Sequence, residues 1–123
     1  MTGDRRDEPQ RFRRGDRLKK RYEFRQVQHN GRRIHTEHFL IVLQPNASSN
    51  TRLGITVTKK VGSAVQRNRI KRVVREVFRR NRALFPPGHD VVLIAKRNAV
   101  DLGYESLREE LRGAARKLRP KEA

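Results

Sequence analysis

Apolar residues recur along this chain at two different spacings. His38-Phe39-Leu40-Ile41-Val42-Leu43 and Asp90-Val91-Val92-Leu93-Ile94-Ala95 are continuous runs, the pattern of strands buried on both faces. Leu53, Ile55 and Val57 alternate with Gly54, Thr56 and Thr58, which predicts a half-buried strand. Ile34 belongs to a preceding strand or turn. Ile70, Val73, Val74, Val77 and Phe78 return at helical spacing, and Ser63 with Gln66 three residues later forms a capping box ahead of them. Nearer the N-terminus a short helix is expected from about Leu18, with Tyr22, Phe24 and Val27 as its apolar residues and Gly31 as its stop. A final helix, capped by Asp101, would turn Leu107, Leu111, Ala114, Ala115 and Leu118 inward. Pro45–Asn50 and Pro86-Pro87-Gly88 are loops by composition. The order is helix, two or three strands, helix, strand, helix, which is a small α+β sandwich. There are no internal repeats.

Composition limits what such a fold does. In 123 residues, 34% are hydrophobic and 36% charged, enough for one small core. No run approaches the ~18 apolar residues of a membrane span, and nothing near Met1 resembles a signal peptide. The absence of Cys excludes disulfides, thiolate zinc sites and cysteine nucleophiles. A cytoplasmic protein with no membrane partner is expected.

Charge changes the picture more. Lys and Arg total 31 against 13 Asp and Glu, a net +18, well beyond the ~2–8 that keeps a small domain soluble. Residues 59–82 hold 10 basic side chains and one acid, Glu76, while 101–123 hold 6 basic and 5 acidic. Residues 1–36 hold 12 basic and 5 acidic. Within them, 1–16 show almost no apolar periodicity and read as a flexible basic arm that orders on RNA. On the central helix, Asn68, Lys71, Arg72, Arg75 and Arg79 fall on the side opposite Ile70, Val74 and Val77, with Arg69 and Arg80 flanking. A solvated helix face mixes signs to gain i,i+4 pairs; this one does not. Cations at Arg67, Arg69 and Lys71 also oppose the helix dipole by roughly 0.3–1 kcal/mol each, a cost that bound phosphates would offset. A nucleic-acid face is the expectation.

Candidates for catalysis are poor. His35 and His38 straddle the expected strand start, while His29 and His89 stand alone. Glu109-Glu110 reads as a solvated face or as partners of Arg112 and Arg116, and Ser63 is better explained as a cap. No Walker-type loop is present. No catalytic residue and no protein metal site is expected.

Thr56-Val57-Thr58-Lys59-Lys60-Val61-Gly62 followed by Ala64-Val65-Gln66-Arg67-Asn68-Arg69-Ile70-Lys71-Arg72 resembles the signature of the bacterial ribonuclease P protein component, with Arg67-Asn68-Arg69 as its RNR motif. Arg17-Leu18-Lys19-Lys20, Glu23-Phe24, Val27 and Gly31-Arg32, with Phe39-Leu40 and the late Val91–Ala95 run, are similar to that family too. The resemblance covers roughly 17–119 as a single domain, leaving 1–16 as the arm and 120–123 as a C-terminal tail. It implies an α-β-β-β-α-β-α sandwich with a small mixed sheet and a left-handed crossover through the basic helix, against the usual hand. It also implies an accessory subunit of a ribozyme. The RNA, using magnesium, would remove the 5′ leader of precursor tRNA. Arg67, Asn68, Arg69, Lys71 and Arg72 would face that catalytic RNA, with Lys59, Lys60 and Arg75 extending the contact. The leader would lie in a cleft between the first helix and the sheet, near Phe24, Phe39, Arg17, Lys20 and Gln28. Gln28 and Val42 stand where relatives often carry aromatics, so leader stacking is expected to be weaker here, with Arg25 or Gln28 hydrogen-bonding instead. A structural, rRNA-binding ribosomal-type protein is the alternative. A helix-turn-helix DNA reader lacks its paired short helix, so DNA is not an expected partner, and a protein-only endonuclease lacks acidic metal ligands.

Overall fold

A computed structural model gives the fold of residues 14–119. Its elements are α1 (Arg21–Asn30), β1 (Arg32–His35), β2 (Phe39–Pro45), β3 (Arg52–Thr56), α2 (Ala64–Arg80), β4 (His89–Ala95) and α3 (Tyr104–Leu118). Short 3-10 turns lie at Arg14–Asp16, Arg82–Leu84 and Arg97–Asp101. The four strands form one mixed sheet in the order β1-β2-β4-β3. Only β3 and β4 run parallel, and α2 is the crossover that parallel neighbours require. The α+β sandwich expected from the apolar pattern is therefore the fold observed.

The two apolar runs are the two central strands, and both of their faces are covered. On one face Phe39, Ile41, Leu43, Val91 and Leu93 pack with Ile70, Val74, Val77 and Phe78 of α2 and Leu107, Leu111 and Leu118 of α3. On the other, Val42 and Val92 meet Val27 of α1, with Leu18 and the half-buried Phe24, Leu40 and Ile94 around them. Each fully buried large side chain contributes roughly 1.5–3 kcal/mol.

The ends of the elements have identifiable causes. At the start of α2 the Ser63 hydroxyl accepts from the Gln66 N–H (3.2 Å), and Gln66 Oε1 accepts from the Ser63 N–H (2.8 Å). At the end of α3 the Arg32 guanidinium donates to the carbonyls of Lys117, Leu118 and Arg119 at 3.0, 3.0 and 3.3 Å, satisfying acceptors that have no intrahelical donor. Gly31 ends α1, but with extended backbone and not in the left-handed conformation. Its small size is what matters, since a Cβ there would lie 2.6 Å from the Val27 carbonyl and 2.7 Å from Val42 Cγ1.

Four expectations are corrected. Leu18 precedes α1: its N–H donates to the Leu53 carbonyl at 3.0 Å, so it is buried by extending the sheet beyond β3. Tyr22 is 61% exposed and outside the core. Asp101 sits in a 3-10 turn, and Gly103 is the N-cap of α3. Asp16, expected in the flexible arm, is buried and bonded to Arg82 (2.7 Å) and Asn50 (3.1 Å). The rest of the expected arm, 1–13, and the tail, 120–123, lie outside the described residues.

Candidate nucleic-acid interface

Burial of Ile70, Val74, Val77 and Phe78 against the sheet leaves the opposite side of α2 in solvent. The cations there fall into two groups. Arg79 and Arg80 share Glu76, Arg80 lies 5.3 Å over the Tyr104 ring, and Arg82 pairs with Asp16. Arg67, Lys71, Arg72 and Arg75, with Lys59 and Lys60 on the β3–α2 turn, have no carboxylate partner among the described residues. The protein's own acids thus neutralise one end of the helix and leave the other charged.

That charged end leads into a cavity at the outer edge of β3, where Arg17 and Leu18 run beside Leu53. Arg17, Leu18, Lys19, Phe24, Leu53, Gly54, Ile55, Lys71 and Arg75 enclose about 210 Å³. Burial first, and then the like charge of Arg17, lower the pKa of Arg75 below the ordinary guanidinium value. Phe24 lies directly over Gly54, where a Cβ would come within 2.6 Å of its ring. Beyond Phe24 the register places His35, Leu40, Ile94 and Thr56 in one row across the sheet. Leu40, Ile94 and Thr56 are half-buried, and Leu40 and Ile94 pack with Phe24 against the Val27 cluster on the α1 face of the sheet, outside the lining of the cavity itself. A cationic cavity lined by an aromatic ring suits a single strand, whose bases stack on apolar and aromatic surfaces while cations track its backbone.

The sequence model of the Ribonuclease P family matches residues 12–119. The ribonuclease P protein component of Syntrophus aciditrophicus is 44% identical over 100 residues, covering 81% of this chain and 84% of that one. Its counterpart in Citrifermentans bemidjiense is 43% identical over 112 residues, covering 91% and 96%. Among solved structures, the RNase P protein from Thermotoga maritima superposes with a TM-score of 0.75 at 32% identity, covering 87% of this chain and 98% of that chain. The chain belongs to the ribonuclease P protein family. As such it is the protein subunit of the ribonuclease P holoenzyme, an RNA-based endoribonuclease of tRNA processing, and a partner of ribonuclease P RNA.

Within this family member the expected site residues separate. Arg17, Phe24, Lys71 and Arg75, expected in two different contacts, meet in one cavity. Lys59, Lys60, Asn68 and Arg72 are exposed and Arg67 is half-buried. Arg69 turns the other way and donates to the carbonyls of Val100 (3.4 Å) and Leu102 (3.2 Å), tying α2 to the turn before α3. Lys20 is exposed at the N-cap of α1, its ammonium 5.9 Å from the Tyr22 ring. Gln28 is half-buried at the far end of the helix. Phe39 is a correction: it is 0% exposed and packs in the core between the sheet and α2 and α3. Neighbouring strand residues point to opposite faces, so Leu40 faces α1 and Phe39 cannot.

Sequence reading missed three further features. Leu40, Ile94 and Thr56 share the α1 face of the sheet, a row traceable two residues on from Val42 and Val92. Arg52 holds α1 against the sheet edge, bonded to Glu23 at 3.0 Å and to Asp90 at 2.8 Å. The N–H of Lys20, and then those of Lys19 and the Arg52 guanidinium, hold the Glu23 carboxyl below the usual glutamate range in spite of its burial. Glu110, expected on a solvated face, accepts from Thr36 Oγ1 (2.5 Å), the His38 N–H (2.8 Å) and His38 Nδ1 (2.6 Å). Burial alone would raise its pKa; those hydrogen bonds outweigh it and lower the pKa.

Proposed function

We propose that this chain binds ribonuclease P RNA through the outward side of α2 and holds the 5′ leader of precursor tRNA in the groove between α1 and the sheet. It thereby assists endonucleolytic release of the leader, in a reaction whose chemistry belongs to the RNA. Arg67, Asn68, Lys71, Arg72 and Arg75, with Lys59 and Lys60, contact the phosphates of the catalytic RNA, and Arg69 sets the orientation of α2 through its carbonyl bonds. The leader enters past Arg17 and Lys20, stacks on Phe24 and runs over Leu40 and Ile94 towards Gln28. Gln28 offers hydrogen bonds in place of a second ring, so this leader site tolerates sequence and stacks weakly. Magnesium, held by the RNA, supplies the metal-ion chemistry. Among the described residues the group able to hold a metal is Glu37, His38 and Glu110. Its His38 and Glu110 are already bonded to each other, and none of the three lines the cavity. In this reading the protein works in the cytoplasm, with its tRNA substrates.

The observation that carries the proposal is the 210 Å³ cavity where Arg17, Lys19, Lys71 and Arg75 converge on Phe24 with no carboxylate in its lining. The test is leader release from a precursor tRNA by a bacterial ribonuclease P RNA at near-physiological magnesium, with RNA alone and protein alone as controls. Strong activation that requires both components, and that weakens when the leader is cut to one or two nucleotides, is expected. Tight RNA binding without activation would favour a structural rRNA-binding role, and cleavage by protein alone would contradict chemistry on the RNA.

A further inference from the structure

The ten residues of α1 carry a second cationic and aromatic face that the groove does not use. Val27 and Phe24 face the sheet, and Tyr22 lies about 160° round the helix from Phe24. Tyr22, Arg25, Gln26 and His29, at spacings of 3, 4 and 7, therefore form one outward stripe, and Tyr22, Arg25, Gln26 and His29 are all exposed. Tyr22 is one of two large hydrophobic residues exposed among the described residues, at 61%. Exposed Arg21 and Lys20 flank it, with the Lys20 ammonium 5.9 Å from the ring centre. The helix has a single acid, Glu23, and it is turned inward onto Arg52 and the N–H groups of Lys19 and Lys20. No carboxylate of α1 competes for these cations.

We propose that the outward stripe of α1 is a second contact for single-stranded RNA, separate from both the groove and α2, with an unpaired base stacked on Tyr22 and phosphates on Arg21 and Arg25. An exposed aromatic set among cations is the minimal stacking platform for a single strand, and a duplex, whose bases are already stacked and paired, cannot use it. The two faces of α1 would let one helix touch RNA on both sides. The proposal shares with the groove only the ligand class, so either can fail alone.

The chain has no Trp and two Tyr, Tyr22 and Tyr104, which makes the test direct. In a full-length Tyr104→Phe protein, which keeps the ring under Arg80, the tyrosine emission reports Tyr22 alone. A 12-nucleotide single-stranded RNA is titrated in, with anisotropy of a labelled copy reporting binding independently. Saturable quenching is expected, its midpoint raised several-fold by Arg25→Ala and unmoved by Phe24→Leu, which removes the groove's aromatic face while keeping its packing. A duplex of the same sequence should bind α2 yet leave the emission unchanged. Binding without quenching, equal quenching by the duplex, or quenching abolished by Phe24→Leu would each overturn the proposal. The last result would leave the groove reading standing, whereas quenching that persists while Phe24→Leu has no effect on leader affinity would count against the groove alone.

Discussion

Helices α2 and α3 pack side by side on the same face of the sheet, and both are amphipathic. Their outer faces are charged in different ways. On α3, Arg108 lies between Glu105 and Glu109, and Arg112 pairs with Glu109, so the first three turns answer their own charge and only Arg116 and Lys117 of the last turn stand outside those pairs. On α2 the first turn holds no acid, and Glu76 serves only Arg79 and Arg80. Two helices with equivalent inner faces thus differ in whether their outer charges find partners within the protein. A basic residue with no such partner, beside others of its kind, marks the surface where an external anion is expected; the number of basic residues does not.

Charge reversal would break this comparison most visibly. Arg72→Glu with Arg75→Glu should weaken assembly with ribonuclease P RNA by roughly a hundredfold or more, since like charges across an interface cost several kcal/mol. Arg112→Glu with Arg116→Glu on α3 should change it only a few-fold, and filter binding at fixed salt would measure both. The next largest effect is structural. Gly54→Ala drives a methyl into the Phe24 ring and should cost about 1–3 kcal/mol in urea unfolding, with leader affinity falling more than affinity for the catalytic RNA.

The third effect depends on pH. Glu110 has its pKa lowered in the fold, so its contribution is complete above the usual glutamate range and is lost as the pH falls through the depressed value. Glu110→Gln should therefore reduce wild-type stability mainly above that range and flatten its decline on acidification, as followed by denaturant midpoints against pH. The smallest effect should come from Glu76→Gln. Exposed pairs are worth ~0–1 kcal/mol, so stability should barely change, while Arg80, released from Glu76, should raise RNA affinity slightly; Glu109→Gln should not.

How far the sequence was legible follows the range of the interactions. The capping box and apolar spacing of α2 are local, and both stand in the structure as read. So do the central strands, because burial on both faces leaves a continuous apolar run. Phe39 shows the limit. Alternation says that Phe39, Ile41 and Leu43 share a face, but not which helices cover it, and that depends on the topology of the whole sheet. Leu18 is similar, since only its pairing with Leu53, 35 positions away, shows that it is not helical. Tyr22 is different. A helical wheel already separates it from Phe24 and Val27, so that signal was present in the spacing. Helical spacing puts Arg75 on the outward side and Arg69 at its flank, but only the neighbouring carbonyls of Val100 and Leu102 assign Arg69 a structural task.

The central claim is that the unpaired cations of α2 hold RNA phosphates. It is tested most directly by measuring affinity for ribonuclease P RNA against salt concentration, for the wild type and for Lys71→Ala with Arg75→Ala. Direct contact predicts that the slope of log affinity against log salt becomes shallower by about two for the double variant, close to one released counterion for each phosphate lost. An unchanged slope, with affinity falling in parallel at every salt concentration or not falling at all, would contradict it.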